Sequence, residues 1–200
     1  MEFLVTMTTE VPEGTTEAAV LEMRAREAAR AVELVALGTL QRLWRPPLQP
    51  GEWRTYGLFV SGDDVELEDA LASMPLRAWR SDVVTPLAAH PNDPGGRAGT
   101  LAAAPGHEYF TWFRFAIPVD VNPRAVADAS ESEARRTREL AEEERLLRLW
   151  MLPGDGLALG LWNAAGADLL RADLATLPLI DWLDVEVTPL SVHPSDPATA

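Results

Sequence analysis

One glutamate stands on the apolar face of a predicted helix, where a carboxylate is costly to bury. Glu27 has Val20, Met23, Ala31 and Leu34 around it at helical spacing. Burial disfavours the charged form of a carboxyl and raises its pKa unless a cation lies nearby. A base with such a pKa can abstract a carbon-bound proton near neutral pH. We therefore predict a catalytic base here; the alternative is a structural glutamate paired with a core or interface arginine.

Arg45 is the second candidate for chemistry, because it ends a predicted strand directly after Trp44. A guanidinium at a strand end can bind a carboxylate bidentately or stabilise a dienolate; the alternative is an ordinary surface arginine. Trp53 and Tyr56 lie on the next predicted strand, and with Trp44 they are predicted to bind substrate. Aromatic residues on strands also commonly belong to the core.

Composition excludes several other kinds of chemistry. The chain has no cysteine and no lysine, so thiolate nucleophiles, cysteine-ligated metals and Schiff bases are ruled out. His90 and His193 each stand in a His-Pro turn, and His107 is the third histidine. These scattered histidines lack a local acidic ligand pattern, which predicts structural turn residues and no metal site. No cofactor is predicted either.

The charge and hydropathy of the chain exclude two kinds of partner. The net charge is -14, and a chain this acidic repels the phosphates of nucleic acids. The apolar runs, such as residues 157–162, are far shorter than the roughly 20 residues that a membrane-spanning helix needs. The first residues show no basic region or cleavage pattern of a signal peptide. We therefore expect a cytoplasmic protein without nucleic-acid or membrane partners.

The chain contains two copies of one sequence unit. Aligning residues 2–44 with 108–150 gives 13 identities in 43 pairs, and aligning 51–94 with 154–197 gives 17 in 44. The matched pairs include tryptophans, a rare residue type that seldom pairs by chance. Such self-similarity predicts a tandem duplication.

The duplication defines the predicted domains. Repeat 1 covers residues 1–95, a Gly-, Ala- and Pro-rich linker covers 96–107, and a degenerate repeat 2 covers 108–200. Within each copy the hydrophobic periodicity gives the order strand, helix, strand, strand, helix, strand, which predicts a ferredoxin-like βαββαβ unit. Thr15 and Thr16 are predicted to cap the first helix, which ends near Leu37.

The predicted fold class is therefore α+β. In one βαββαβ unit the helices cover a single face of the sheet, so the bare faces of two units can bury each other. We expect the two repeats to form an intrachain dimeric α+β barrel, with the sheets facing each other and the long helices outside.

Residues spread along repeat 1 carry a resemblance to a known family. They are Pro12, Glu27, Gly38-Thr39, Leu43-Trp44-Arg45, Tyr56, Phe59, Met74-Pro75-Leu76 and His90-Pro91. In order and spacing they resemble muconolactone isomerase, whose short chain corresponds to repeat 1 with a small insertion. Repeat 2 resembles the family more loosely.

The resemblance implies both a fold and an activity. It implies a dimeric α+β barrel that assembles further into a homo-oligomer, and a cofactor-independent proton shift within a small unsaturated lactone during aromatic-compound catabolism. Glu27 would then remove a proton alpha to a carbonyl and return it elsewhere, while Arg45 offsets the developing negative charge. The expected partner is a small lactone or carboxylate such as muconolactone.

Repeat 2 departs from this pattern. Met151, Gly156 and Leu159 align with Arg45, Trp53 and Tyr56, whereas Glu133 aligns with Glu27. These replacements remove the cation, the indole and the phenol together, which predicts one competent pocket per chain.

Two other functions remain open. Repeat 1 has Leu4 and Thr6 on strand 1, where relatives commonly have histidine and lysine. This departure favours a non-catalytic small-molecule-binding or scaffold protein of the same fold. The third reading, a barrel monooxygenase or haem protein, requires an axial histidine or a redox group.

Overall fold

The structure, a computed structural model, describes residues 1–95, 106–118 and 120–199. The chain divides into two compact units that do not coincide with the two repeats. In its described part, unit 1 comprises residues 1–87 and 191–199, and unit 2 comprises 88–95 and 106–190. Each unit therefore contains the body of one repeat together with the C-terminal tail of the other.

Repeat 1 folds in the order that the periodicity predicts. Its elements are β1 (Glu2–Thr9), α1 (Glu17–Ala36), β2 (Leu40–Arg45), β3 (Arg54–Val60), α2 (Asp64–Ala72), a 3-10 turn (Pro75–Trp79) and β4 (Arg80–Ala89). In unit 1 the strands pair antiparallel in the order β4-β1-β3-β2, and β9 (Ser191–Val192) adds to β2 at the edge.

Repeat 2 follows the same plan. Its elements are β5 (His107–Phe115), α3 (Pro123–Glu142), β6 (Leu146–Met151), β7 (Leu157–Ala164), α4 (Ala167–Leu174), a 3-10 turn (Ile180–Trp182) and β8 (Leu183–Pro189). In unit 2 the antiparallel order is β8-β5-β7-β6, and the last two residues of β4 pair with β6. The α+β class and the two ferredoxin-like repeats are thus confirmed.

Local chemistry explains where α1 begins and ends. The side chain of Thr16 accepts a hydrogen bond from the backbone N–H of Ala19 and so caps the helix, as predicted. The helix ends before Gly38, whose positive φ of 73° is a backbone conformation that favours glycine.

Strand alternation decides which side chains pack under the helices. In β1 the buried residues Phe3, Val5 and Met7 point to the face that α1 and α2 cover. They pack there with Leu34 of α1 and Leu71 of α2. This face positions the candidate site, because Met7 also lines the cavity that contains the site.

Two sequence predictions concern residues near the junction of the repeats. Residues 96–105 of the predicted linker lie outside the described residues. His107, which the prediction places at the end of that linker, is the first residue of β5 and pairs with Ala164. Within the described ranges, no helix is long and apolar enough to cross a membrane.

Candidate active site

A cavity of about 380 Å³ lies in unit 1, between α1 and the helix-covered face of the sheet. Its apolar wall includes Met7 and Leu43, and its polar side chains come from widely separated parts of the sequence. These polar side chains include those of Arg24, Glu27, Arg45, Trp53, Thr55, Arg80 and His193. Three of the five residues predicted for the site, Glu27, Arg45 and Trp53, are therefore brought together.

Glu27 reaches the cavity from the inner face of α1, with 14% of its side chain exposed. Its Oε2 accepts a hydrogen bond of 2.8 Å from the backbone N–H of Leu76, and its Oε1 lies 2.9 Å from Nη1 of Arg80. Burial raises the pKa of the Glu27 carboxyl, while the Leu76 N–H and the Arg80 cation oppose that rise. The carboxylate is thus oriented by two partners and still faces the cavity.

Arg80 is held by a second carboxylate. Its Nε lies 2.7 Å from Oδ1 of Asp82, and the Arg80 and Asp82 side chains are almost fully buried. Asp82 also pairs with Arg77. Arg80 is therefore a buried arginine of the kind expected if Glu27 were purely structural. Glu27 also lines a cavity, as a catalytic base must.

Two more arginines give the cavity an excess of positive charge. Among the described residues, no carboxylate forms an ion pair with Arg24 or Arg45. Arg24 instead lies over the ring of Trp53, with its Cζ 4.3 Å from the ring centroid. Two cations without carboxylate partners beside an apolar wall can bind an anionic group of a small molecule.

His193 closes one side of the cavity and comes from the far end of the chain. Its Nδ1 accepts a hydrogen bond of 3.1 Å from the backbone N–H of Ser195. Burial, together with the nearby Arg45 cation, lowers the pKa of His193 to about 4, against the opposing effect of Asp196. The imidazole is therefore neutral at pH 7, and the hydrogen bond to Nδ1 leaves the proton on Nε2.

A buried ion pair anchors the segment that carries this histidine. Nε and Nη2 of Arg42 each donate a hydrogen bond of 3.0 Å to the carboxylate of Asp196, and both side chains are fully buried. The backbone N–H of Leu43 also donates to Asp196. We call residues 193–196 the tail of unit 1; these bonds fix it against β2.

The other two predicted binding residues lie outside the cavity. Trp44 and Tyr56 are paired directly across β2 and β3, on the sheet face opposite to Leu43 and Thr55, which line the cavity. Trp44 is 1% exposed, and the guanidinium of Arg42 lies 4.8 Å from its ring centroid. Strand alternation thus places both aromatic side chains away from the cavity.

Sequence reasoning did not identify Arg24, Arg80 or His193 as site residues. Arg24 precedes Glu27 by three positions, so helical spacing places the two on one face of α1 and could have indicated it. Arg80 lies 53 residues after Glu27 in the sequence, and the His-Pro pattern at His193 predicts a structural turn residue. No local pattern brings either of them to the cavity.

Unit 2 contains a cavity of similar size, about 400 Å³, at the corresponding place. Glu133 faces it and accepts a 3.0 Å hydrogen bond from the backbone N–H of Leu179, as Glu27 does from Leu76. Leu183 takes the place of Arg80, so Glu133 has no matching cation. The asymmetry between the repeats therefore extends beyond Arg45, Trp53 and Tyr56 to the position of Arg80.

The fold places the chain among known α+β proteins. Over 98% of this chain and 93% of the other, it is similar in structure to a heme-binding protein from Thermus thermophilus, with a TM-score of 0.60 at 10% identity. A mutant chlorite dismutase from Candidatus Nitrospira defluvii gives a TM-score of 0.54 at 9% identity, over 94% of this chain and 91% of that one. At these identities the likeness shows the ferredoxin-like α+β fold alone.

Sequence comparison is more specific. The profile of the muconolactone delta-isomerase family matches residues 1–93 and again residues 108–196. The chain therefore belongs to the muconolactone delta-isomerase family, as a tandem duplicate.

Curated relatives match a single repeat. The muconolactone delta-isomerase of Cupriavidus pinatubonensis is 36% identical over 92 residues, which are 46% of this chain and 97% of that protein. Muconolactone delta-isomerase 1 of Acinetobacter lwoffii is 32% identical over 92 residues, 46% of this chain and 93% of its own length. One repeat thus corresponds to nearly the whole of each relative.

The contact between Arg80 and Glu27 predicts a change in pH dependence. Removing the cation removes an effect that lowers the Glu27 pKa, so Arg80→Leu, which introduces the residue of unit 2, should raise that pKa further. If Glu27 acts as a base, the rising limb of kcat/KM against pH should move to higher pH. A limb that stays in place would contradict the role of this pair.

Proposed function

We propose that this chain is a cofactor-independent isomerase that shifts a proton within a small unsaturated lactone bearing a carboxylate, such as muconolactone. One observation carries the proposal: a desolvated carboxylate, Glu27, lines the same cavity as Arg24 and Arg45, two cations without a carboxylate partner among the described residues. Membership of the isomerase family supports the reaction class.

Binding of the substrate is the first step. The guanidinium groups of Arg24 and Arg45 hold the carboxylate, because charge-assisted hydrogen bonds to an anion are strong in a partly dehydrated cavity. The lactone ring packs against the apolar wall, which includes Met7 and Leu43. The volume of about 380 Å³ suits a ligand of this size.

Proton transfer follows within the bound lactone. An oxygen of Glu27 removes the ring proton gamma to the lactone carbonyl, which is acidified through the conjugated double bond, and the two electrons of the C–H bond pass into a dienolate. The protonated Glu27 then returns the proton to another carbon, so the double bond moves and no atom is gained or lost. Arg45 offsets the negative charge that develops on the dienolate.

His193 and the tail of unit 1 restrict the access of water to this chemistry. The neutral imidazole is half-buried at the edge of the cavity, where a cationic side chain would pair with Glu27 or with the substrate. Exclusion of water strengthens the electrostatic effect of the arginines and protects the dienolate.

The test is turnover of muconolactone, followed by ultraviolet absorbance in the parent protein and in Arg45→Met, which introduces the residue of unit 2. Loss of a hydrogen-bonded charge costs about 1.5–3 kcal/mol, so kcat/KM should fall roughly 10- to 150-fold. Arg54→Met is the matched control, since Arg54 does not line the cavity, and it should keep the parent rate.

Two results would contradict the proposal. The first is a parent protein that binds muconolactone without converting it, which would favour a non-catalytic binding protein of the same fold. The second is an equal loss of activity in Arg45→Met and Arg54→Met, which would assign the effect of Arg45 to general charge or stability.

A further inference from the structure

The unit 2 cavity stays open although its lining differs strongly from that of unit 1. Each arginine of the unit 1 cavity has an uncharged counterpart. Arg24, Arg45 and Arg80 align with Ser130, Met151 and Leu183, in that order. The cavity of unit 2 has not closed around these smaller side chains: its volume is about 400 Å³. An open apolar cavity costs stability when nothing fills it.

Two polar groups persist in this otherwise altered cavity. Glu133 is 7% exposed and keeps the hydrogen bond from the backbone of Leu179. His90 keeps the geometry of His193: its Nδ1 accepts a 3.1 Å hydrogen bond from the backbone N–H of Asn92. In the described ranges, no arginine forms an ion pair with Glu133. A buried carboxyl without a cation is costly, and a neutral residue would relieve that cost.

We propose that unit 2 holds a second binding site, for an uncharged, largely apolar small molecule that carries one hydroxyl or similar hydrogen-bonding group. This site is separate from the isomerase site of unit 1 and does not depend on its activity. The apolar body would pack against Phe113, Leu149 and Trp162, and the hydroxyl would meet Glu133.

The charges around the cavity favour a neutral ligand over an anion. A carboxylate ligand would find no lining arginine, and it would lie beside the Glu133 carboxyl. Burial raises the pKa of Glu133, opposed only by the Leu179 N–H, and so shifts the balance towards the neutral form, which can donate to a hydroxyl oxygen.

An ammonium ligand is also disfavoured by the lining. Such a group needs several acceptors, and Glu133 is the only acidic residue that lines the cavity within the described part of the chain. One of its oxygens already accepts the hydrogen bond of Leu179. The other oxygen can donate to a hydroxyl or accept from it, depending on its protonation, but it cannot serve three N–H donors.

Three probes of similar shape and different charge test the proposal: para-fluorobenzyl alcohol, para-fluorobenzoate and para-fluorobenzylammonium, followed by fluorine NMR on the full chain. We expect the alcohol to bind one site per chain. Ala158→Trp, which places an indole in the unit 2 cavity, should weaken the binding of the alcohol at least tenfold while muconolactone turnover stays at the parent level. Arg45→Met should leave the binding of the alcohol unchanged.

A reciprocal substitution tests the charge argument. Met151 is 42% exposed, so Met151→Arg should fold, and it returns a cation to the cavity. It should create a second site for the benzoate, which in the parent binds unit 1 alone.

The proposal is overturned if a folded Ala158→Trp protein binds the alcohol with the affinity of the parent. It is also overturned if the ammonium or the benzoate binds the unit 2 cavity more tightly than the alcohol. If Ala158→Trp does not fold, Met151→Trp at the exposed rim replaces it and must also weaken alcohol binding tenfold. Absence of alcohol binding by the parent would equally reject the site, whatever the result for muconolactone.

Discussion

Replacing Glu27 with glutamine is expected to lower the turnover of muconolactone by about 10²–10⁴-fold, the usual contribution of general acid–base catalysis. Glutamine can still accept the hydrogen bond from the backbone N–H of Leu76 and keeps the shape of the side chain. It cannot take up a proton from carbon. We therefore expect kcat to fall while substrate binding, measured by titration with a lactone analogue, changes little.

The same variant separates the two readings of Glu27. If Glu27 serves only as the partner of Arg80, Glu27→Gln should lower the melting temperature strongly, and the rate of the remaining folded protein should equal that of the parent. Glu22→Gln, an exposed position on the same helix, is the matched control and should change neither quantity. An unchanged kcat in Glu27→Gln would reject the catalytic role.

Removal of Asp196 is the second change with a large expected effect. Asp196→Ala leaves the fully buried guanidinium of Arg42 without its carboxylate, and breaking a buried ion pair costs about 3–5 kcal/mol. The tail of unit 1 also loses its anchor, so His193 should leave the edge of the cavity. We expect the melting temperature to fall by roughly 10 °C and turnover to fall in the protein that remains folded.

Asp93 supplies the matched control for this experiment. It lies in the equivalent tail of unit 2, where its Oδ1 accepts hydrogen bonds from Nε of Arg148 and the backbone N–H of Leu149. Asp93→Ala should destabilise the protein similarly but leave muconolactone turnover of the folded fraction unchanged. Equal losses of turnover in the two variants would show that the tail of unit 1 has no special role at the site.

The fold was predictable because helix caps and strand alternation depend on residues that are close together in the sequence. Thr16 and Gly38 mark the ends of α1 by capping chemistry, and the alternation of Phe3, Val5 and Met7 marks a half-buried strand. Repeat 2 has the same order of helices and strands as repeat 1, which supports the assignment of both. The tails that the two repeats exchange had no such signal, since their contacts join residues 154 positions apart in Arg42 with Asp196 and 55 positions apart in Arg148 with Asp93.

The site was only partly predictable for the same reason. Glu27 could be found because a carboxylate interrupts an apolar helix face, and Arg45 because it ends a strand. The prediction that Trp44 and Tyr56 bind substrate rests on residue type alone. Successive residues of a strand point to opposite faces of the sheet, so Trp44 cannot share the cavity with its neighbours Leu43 and Arg45. Arg80 could not be found, because its contact with Glu27 depends on how the turn after α2 packs against α1.

Solvent proton exchange tests the central claim, that Glu27 moves a proton between carbon atoms of a lactone bound in the unit 1 cavity. The parent protein and Glu27→Gln are incubated with muconolactone in deuterium oxide, and proton NMR follows the ring hydrogen gamma to the lactone carbonyl. We expect the parent protein to shift the double bond with loss of that hydrogen, and Glu27→Gln to do so at least about 100-fold more slowly. Equal rates of proton loss in the two proteins, or no proton loss in the parent, would contradict the role of Glu27.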